Sequence, residues 1–206
     1  MARKLRAGVA GAGVFGGYHA RKYAESAQAD LAAIFDIDIG RAMERAAEYG
    51  VRAHDDFAAF LSQVDVLTVA TPATTHGTLA KEAVAAGKHV LVEKPIALEL
   101  SAADAIVKAA NEGGTVLQVG HQERYVAGAF GLLDRAAPQA LRSRRLNKFS
   151  PRAGDVSVVM DLMIHDLDLL AELTGLYEIT IVNVDQRREK SDFADFVDVT
   201  VKAGDT

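Results

Sequence analysis

A chain of 206 residues can bury a sizeable core and hold one domain plus part or all of a second. Half of it is hydrophobic and a quarter charged, as in ordinary soluble globular proteins, and the net charge of −5 argues against a nucleic-acid binder, whose cations gather on one face. No cysteine is present, so disulfides and thiolate chemistry are excluded; this suits the cytoplasm, and no apolar run approaches the length of a membrane span.

The opening MARKLRAGVAGAG is basic, then apolar for only a few residues before its glycines, so residues 5–11 read as a first strand and not as a signal peptide. Residues 13–26 read as a helix, 29–38 as a strand, and 40–50 as a helix ended by Gly50. Residues 64–71 form the next strand, and 75–88 a helix stopped at Gly87. A strand at 89–95, a helix at 101–114 with Ser101 as N-cap and Gly113 just past its end, and a strand at 115–121 complete the series. Apolar, β-branched strands alternating with helices predict a parallel, doubly wound α/β sheet of the Rossmann kind over residues 1–121.

After about residue 120 the pattern changes. Residues 123–139 read as a helix closed by Pro138, 140–150 as an exposed or edge strand, and 155–175 as a strongly apolar helix. Residues 177–190 and 195–205 alternate with period two, as strands do. Strands that follow one another predict a second, α+β domain with an antiparallel sheet over residues 122–206.

Three constellations carry chemistry. Gly11, Gly13 and Gly16 form G-x-G-x-x-G between a strand and a helix that opens through Val14 and Phe15, the context of a dinucleotide fingerprint; a ligand-free glycine turn is the alternative. About twenty residues on, Asp36 stands where a carboxylate accepts hydrogen bonds from the adenosine ribose, which favours NAD over NADP; otherwise it caps the following helix with Asp38. The strand at 89–95 ends on Glu93, Lys94 and Pro95, at the edge of the sheet where such folds bind ligands; a solvated strand-end lysine is the alternative. On the apolar helix, Asp161 and His165 are four residues apart and share a face, with Asp168 one turn further, able to orient or charge the histidine. A helix with a satisfied histidine and solvent-facing acids explains the same pattern. No cluster dense enough to hold a metal is present.

The glycine motif, Thr71-Pro72, His76, Glu93-Lys94-Pro95 and the later VVMDLMIHDLD, in this order, resemble the Gfo/Idh/MocA family of sugar and cyclitol oxidoreductases from about residue 4 to about residue 175. The resemblance implies an NAD-dependent dehydrogenase of a secondary sugar hydroxyl. It implies a cofactor site built from Gly11, Gly13, Val14, Phe15, Gly16, Asp36, Thr71, Pro72, His76, Glu93 and Lys94, and a cis peptide in the Glu-Lys-Pro triplet. His165 would be the general base, Asp161 its orienting partner, and Lys94 the group that stabilises charge on the oxygen. The segment Gly120-His121-x-Glu123-Arg124-Tyr125 resembles the G-H-x-E-R-F-N-P segment of members that oxidise UDP-N-acetylglucosamine-type sugars at the 3-position, although Val126 and Ala127 replace Asn and Pro. Arg124 and Tyr125, with Lys94 and His165, are thus the expected substrate contacts. An inositol or aldose dehydrogenase, or a catalytically silent NAD-binding regulator on the same fold, remains open. The resemblance also implies that further strands follow Thr206 in a longer chain, and a homo-oligomer when that chain is complete.

Overall fold

In the computed structural model, which describes residues 3–146, 156–190 and 192–204, the chain divides after Gly120 into two units, Met1–Gly120 and His121–Thr206. The first contains β1 (Leu5–Ala10), α1 (Val14–Ala24), β2 (Ala29–Phe35), α2 (Ile39–Ala47), β3 (Arg52–His54), α3 (Phe57–Gln63), β4 (Val66–Val69), α4 (Ala73–Ala85), β5 (His89–Glu93), α5 (Leu100–Gly113) and β6 (Leu117–Gly120). All six strands are parallel, in the order β3-β2-β1-β4-β5-β6.

Two apolar clusters explain why these strands are hydrophobic without alternation. One packs Phe60, Leu67, Val69, Val84 and Ile106 together; the other joins Val9, Ala20, Ile34 and Ala46. Adjacent strand residues thus enter different clusters, Val9 one and Ala10 the other, as in a sheet covered on both faces. The strand order reverses between β1 and β4, so the C-terminal ends of these strands frame the crevice where doubly wound sheets take their ligands.

The doubly wound parallel sheet is as predicted from the sequence, with two additions. β3 and α3 lie in the stretch between Gly50 and Val64 that the sequence reading left without elements. β3 has three residues on a sheet edge, too few to show a period. The signal for α3 was present: Asp56 accepts from the Ala59 amide at 2.6 Å, and Phe57, Phe60 and Leu61 follow at helical spacing. α5 starts one residue earlier than expected, with Glu99 and not Ser101 at its N-cap, and it ends on Gly114 in the left-handed conformation (φ 65°).

The second unit contains α6 (Glu123–Ala129), a π-helical turn (Val159–Met163), α7 (Ile164–Thr174), β7 (Ile179–Arg187) and β8 (Phe196–Ala203). β7 and β8 pair antiparallel, from Ile179 opposite Ala203 to Arg187 opposite Phe196. The helix expected to run to Pro138 stops at Ala129, because Gly131 turns the chain at φ 66°. Of the strand expected at 140–150, residues 140–146 are irregular and the rest lie outside the described residues. Among the described residues, no helix is long and apolar enough to cross a membrane.

Candidate functional site

The glycine turn after β1 uses its three glycines for three different reasons. Gly11 sits at φ 104°, and a Cβ there would lie 2.5 Å from the Ala70 carbonyl oxygen at the end of β4. A Cβ on Gly16 would collide with the Gly11 carbonyl, so only glycine lets α1 press against the turn. Gly13 differs: its φ is an ordinary −71°, and a Cβ would meet nothing within 4 Å. No protein atom requires glycine there. The open space lies at the N-terminus of α1, flanked by the half-exposed Val14 and Phe15 on its first turn, where main-chain N–H groups and the helix dipole favour a phosphate. These residues fit a dinucleotide.

Asp36 follows β2 and is 7% exposed. Its carboxylate accepts from the Ala12 amide at 2.9 Å, the Asp38 amide at 3.0 Å and the Arg41 guanidinium at 2.9 Å. The cap of α2 is Asp38, which accepts from the Arg41 amide at 3.2 Å. The two aspartates therefore divide the work: Asp38 caps, while Asp36 ties the end of β2 to the glycine turn. Arg41 was not singled out from the sequence, although its position five residues after Asp36 puts it on the first turn of α2.

Thr71 and Pro72 lead from β4 into α4, with Pro72 at the N-cap. His76, on that helix, is 2% exposed; its Nδ1 lies 2.7 Å from the Pro95 carbonyl oxygen and its Nε2 2.8 Å from that of Thr71. It was expected to contact the cofactor. Its ring lies between the loops after β4 and β5, and its single neutral-form N–H donates to one of these two carbonyls according to the tautomer. Glu93 ends β5 and bonds His19 Nε2 at 2.7 Å. Lys94 follows it, half-buried, and the Lys94–Pro95 peptide is cis. The strand-end residues Gly11, Gly13, Gly16, Asp36, Thr71, Pro72, Glu93 and Lys94 all belong to this first unit, on the C-terminal side of its sheet.

In the second unit Asp161 lies in the π-helical turn and His165 on the first turn of α7, where the histidine is 6% exposed. The sequence predicted one continuous α-helix here; the wider turn sits at the candidate catalytic pair, as π-turns often do. Asp168, one turn beyond His165, is bound by a residue of another helix. Both its oxygens are taken by Arg124, with Nε at 2.8 Å and a terminal nitrogen at 2.6 Å, and Glu172 binds the same guanidinium at 2.9 Å. The hydrogen bonds it donates to Asp168, ahead of the nearby carboxylate charge, push Arg124 above its ordinary pKa. Arg124, an expected substrate contact, is thus paired with two carboxylates on α7. Tyr125, next to it on α6, is 69% exposed. Among the described residues, no group of acids and histidines could hold a metal ion.

A parallel sheet in this order, a glycine turn opening a helix and a buried acid after β2 define a Rossmann-type dinucleotide-binding protein. The model of the oxidoreductase family with an NAD-binding Rossmann fold, Gfo/Idh/MocA, matches residues 5–121, and the chain belongs to that family. It is 43% identical over 195 residues to UDP-N-acetylglucosamine 3-dehydrogenase of Acidithiobacillus ferrooxidans, covering 92% of this chain and 61% of that protein. It is 30% identical to scyllo-inositol 2-dehydrogenase (NAD(+)) of Bacillus subtilis, covering 89% of this chain and 57% of that one. A solved structure of the Acidithiobacillus ferrooxidans enzyme superposes with a TM-score of 0.87 at 39% identity, over 98% of this chain and 67% of that one. GenD2 from gentamicin A biosynthesis, solved with NAD, gives 0.83 at 27% identity, over 99% of this chain and 64% of that one. The chain thus spans about three fifths of the length of the curated relatives described.

Proposed function

We propose that this protein is an NAD-dependent dehydrogenase of a secondary sugar hydroxyl, and that its substrate is a UDP-linked N-acetylamino sugar oxidised at the 3-position. The observation that carries the reading is Lys94, held directly after β5 at the ligand-binding edge of an NAD-binding sheet. The substrate follows from the 43% identity to a UDP-N-acetylglucosamine 3-dehydrogenase. Residues 1–121 act as the dinucleotide domain and 122–206 as the substrate and oligomerisation domain. Bound NAD would accept the hydride. The glycine turn would hold its pyrophosphate and Asp36 its adenosine ribose, whose 2′-phosphate in NADP the carboxylate repels. Lys94 would donate a hydrogen bond to the hydroxyl and stabilise negative charge as it develops on oxygen. His165 would take the hydroxyl proton, a role suited to imidazole near neutral pH, and Asp161 would orient it and stabilise the imidazolium. The cysteine-free composition supports a cytoplasmic location, and the family resemblance supports a homo-oligomer.

The similarity to an inositol dehydrogenase, with Val126 and Ala127 in place of Asn and Pro, supports a second reading in which the substrate is a cyclitol. One experiment separates them. The full chain is incubated with NAD and, in turn, UDP-N-acetylglucosamine, its uronic acid, myo-inositol and glucose, and NADH is followed by absorbance. Reduction with a UDP-sugar supports the first reading; reduction with inositol or glucose alone transfers the assignment to the second. No reduction with any of them removes the dehydrogenase reading. With the active substrate, Lys94→Ala should keep most of its NAD affinity and lose about 10²- to 10³-fold in kcat.

A further inference from the structure

We infer that His19 is a positioning residue for Lys94, acting through Glu93; the inference rests on the role given to Lys94 above. His19 lies on α1, whose first turn carries the dinucleotide motif. Its Nε2 is 2.7 Å from Glu93 Oε1, and the two side chains are 21% and 18% exposed. A carboxylate held this closely by a ring N–H forms one of the stronger hydrogen bonds available to a protein.

The far side of that carboxylate is equally confined. Glu93 pairs with Gly120 across β5 and β6. A Cβ on Gly120 would lie 3.0 Å from Oε2, 3.1 Å from Cδ and 3.2 Å from Oε1. The carboxylate therefore lies over the end of β6, in space that any side chain at Gly120 would claim. Gly120 leaves room for the carboxylate, and His19 fixes it there.

Lys94 is the next residue. Beyond it, the Pro95 carbonyl oxygen lies 2.7 Å from His76 Nδ1 on α4 and accepts from the tautomer protonated there. The residues on both sides of Lys94 are thus tied to different helices, α1 and α4. Each residue has only two soft backbone dihedrals, so fixing both neighbours restricts where the lysine stem begins. The stem itself is long and flexible, and a misplacement of about 1 Å at a reacting group costs as much as 10²-fold in rate. The arrangement also runs from the cofactor turn to the lysine: Gly16 presses α1 onto Gly11, and three residues later His19 grips Glu93.

The test compares the wild type with His19→Ala, His19→Gln, Glu93→Gln and the double variant His19→Ala/Glu93→Gln. Each is assayed for NAD affinity, Tm, kcat and KM with the active sugar. Lys94 is also observed directly, by the ¹³C signal of its reductively methylated amine, identified by its loss in Lys94→Arg. His19→Ala should lower kcat by about 10- to 100-fold while NAD affinity and KM change by less than about threefold. It should shift the Lys94 signal. His19→Gln, whose amide nitrogen can replace Nε2 as donor, should recover most of the rate and the wild-type signal. The double variant should be no worse than the more impaired single variant, because both act on one contact. Additive losses, or a Lys94 signal and kcat unmoved in His19→Ala, would overturn the inference. If the wild type reduces NAD with no sugar, the proposed function fails, and the Lys94 signal alone still decides the role of His19.

Discussion

The two units are held together by different forces. Among the described residues, the large buried side chains, from Val9 through Phe60 to Ile106, all belong to the first unit; in the second the buried residues are Ala127, His165 and Ala194. The second unit adds ion pairs between its helices. Arg124 on α6 grips Asp168 and Glu172 on α7, and Arg145 joins Glu123 to Asp166. Its hairpin leaves Ile181, Val182 and Val184 exposed. Apolar burial is non-directional and sums over area, so the sheet of the first unit can carry a glycine turn whose geometry serves a ligand. Ion pairs such as Arg124 with Asp168 and Glu172 depend on geometry and hold one helix against another in one orientation.

Substitutions should therefore act differently in the two. Phe60 is fully buried, and Phe60→Ala should destabilise the first unit by about 3–5 kcal/mol, read as a lower urea midpoint. Val184 is 46% exposed, and Val184→Ala should cost about 0.5 kcal/mol or less. Similar losses at the two positions would show that the contrast in burial does not govern stability.

The next largest effect should come from Arg124→Ala. It leaves Asp168, whose side chain is 8% exposed, without the guanidinium that occupies both its oxygens. The cost should be about 2 kcal/mol, typical of hydrogen bonds to a charged group. Arg124→Lys should recover only part of it, since an ammonium cannot span Asp168 and Glu172 as the planar fork does. Thermal unfolding of the three chains checks the order. If lysine restores full stability, the pair works by charge alone.

The same contrast explains what could be read from the sequence. β1, β2, β4, β5 and β6 announce themselves as apolar runs because both faces of the sheet are covered. Gly11, Gly16 and Asp36 stand in a motif whose spacing is set by one turn and one crossover. What escaped was short or distant. β3 has no period to detect. His19 and Glu93 are 74 residues apart, and Arg124 and Asp168 are 44 apart, so neither pairing leaves a local signature. Arg124 is an example: its place in a substrate-like segment suggested a substrate contact, and its acidic partners on another helix left no sign there. The spacing of Asp161, His165 and Asp168 gave no sign of the wider π-helical turn at Asp161, nor of Arg124 as the partner of Asp168.

A smaller effect than that of Arg124→Ala should come from an ion pair inside the first unit, where apolar burial dominates. Asp65, just before β4, accepts from the Arg6 guanidinium at 2.7 Å, the Arg6 amide at 3.0 Å and the Arg3 guanidinium at 2.9 Å. These bonds, that of the Arg6 guanidinium first, hold its carboxyl well below the usual carboxylate range. A depressed carboxyl means that the unfolded chain binds a proton more readily than the folded one. The stabilisation is therefore present above the ordinary carboxylate value and is lost as pH falls through the folded value. The arginines are solvated, so the contribution is modest and screened by salt. Asp65→Asn should lower Tm by a few degrees at pH 7 in low salt. The gap from the wild type should begin to narrow below about pH 4 and keep narrowing on further acidification, because protonation of Asp65 makes the wild type resemble the variant. It should also shrink in about 1 M salt, where the Debye length is near 3 Å. A gap as large as that of Phe60→Ala, or one that widens in acid, would place this pair among the main supports of the sheet and remove the distinction between the two units.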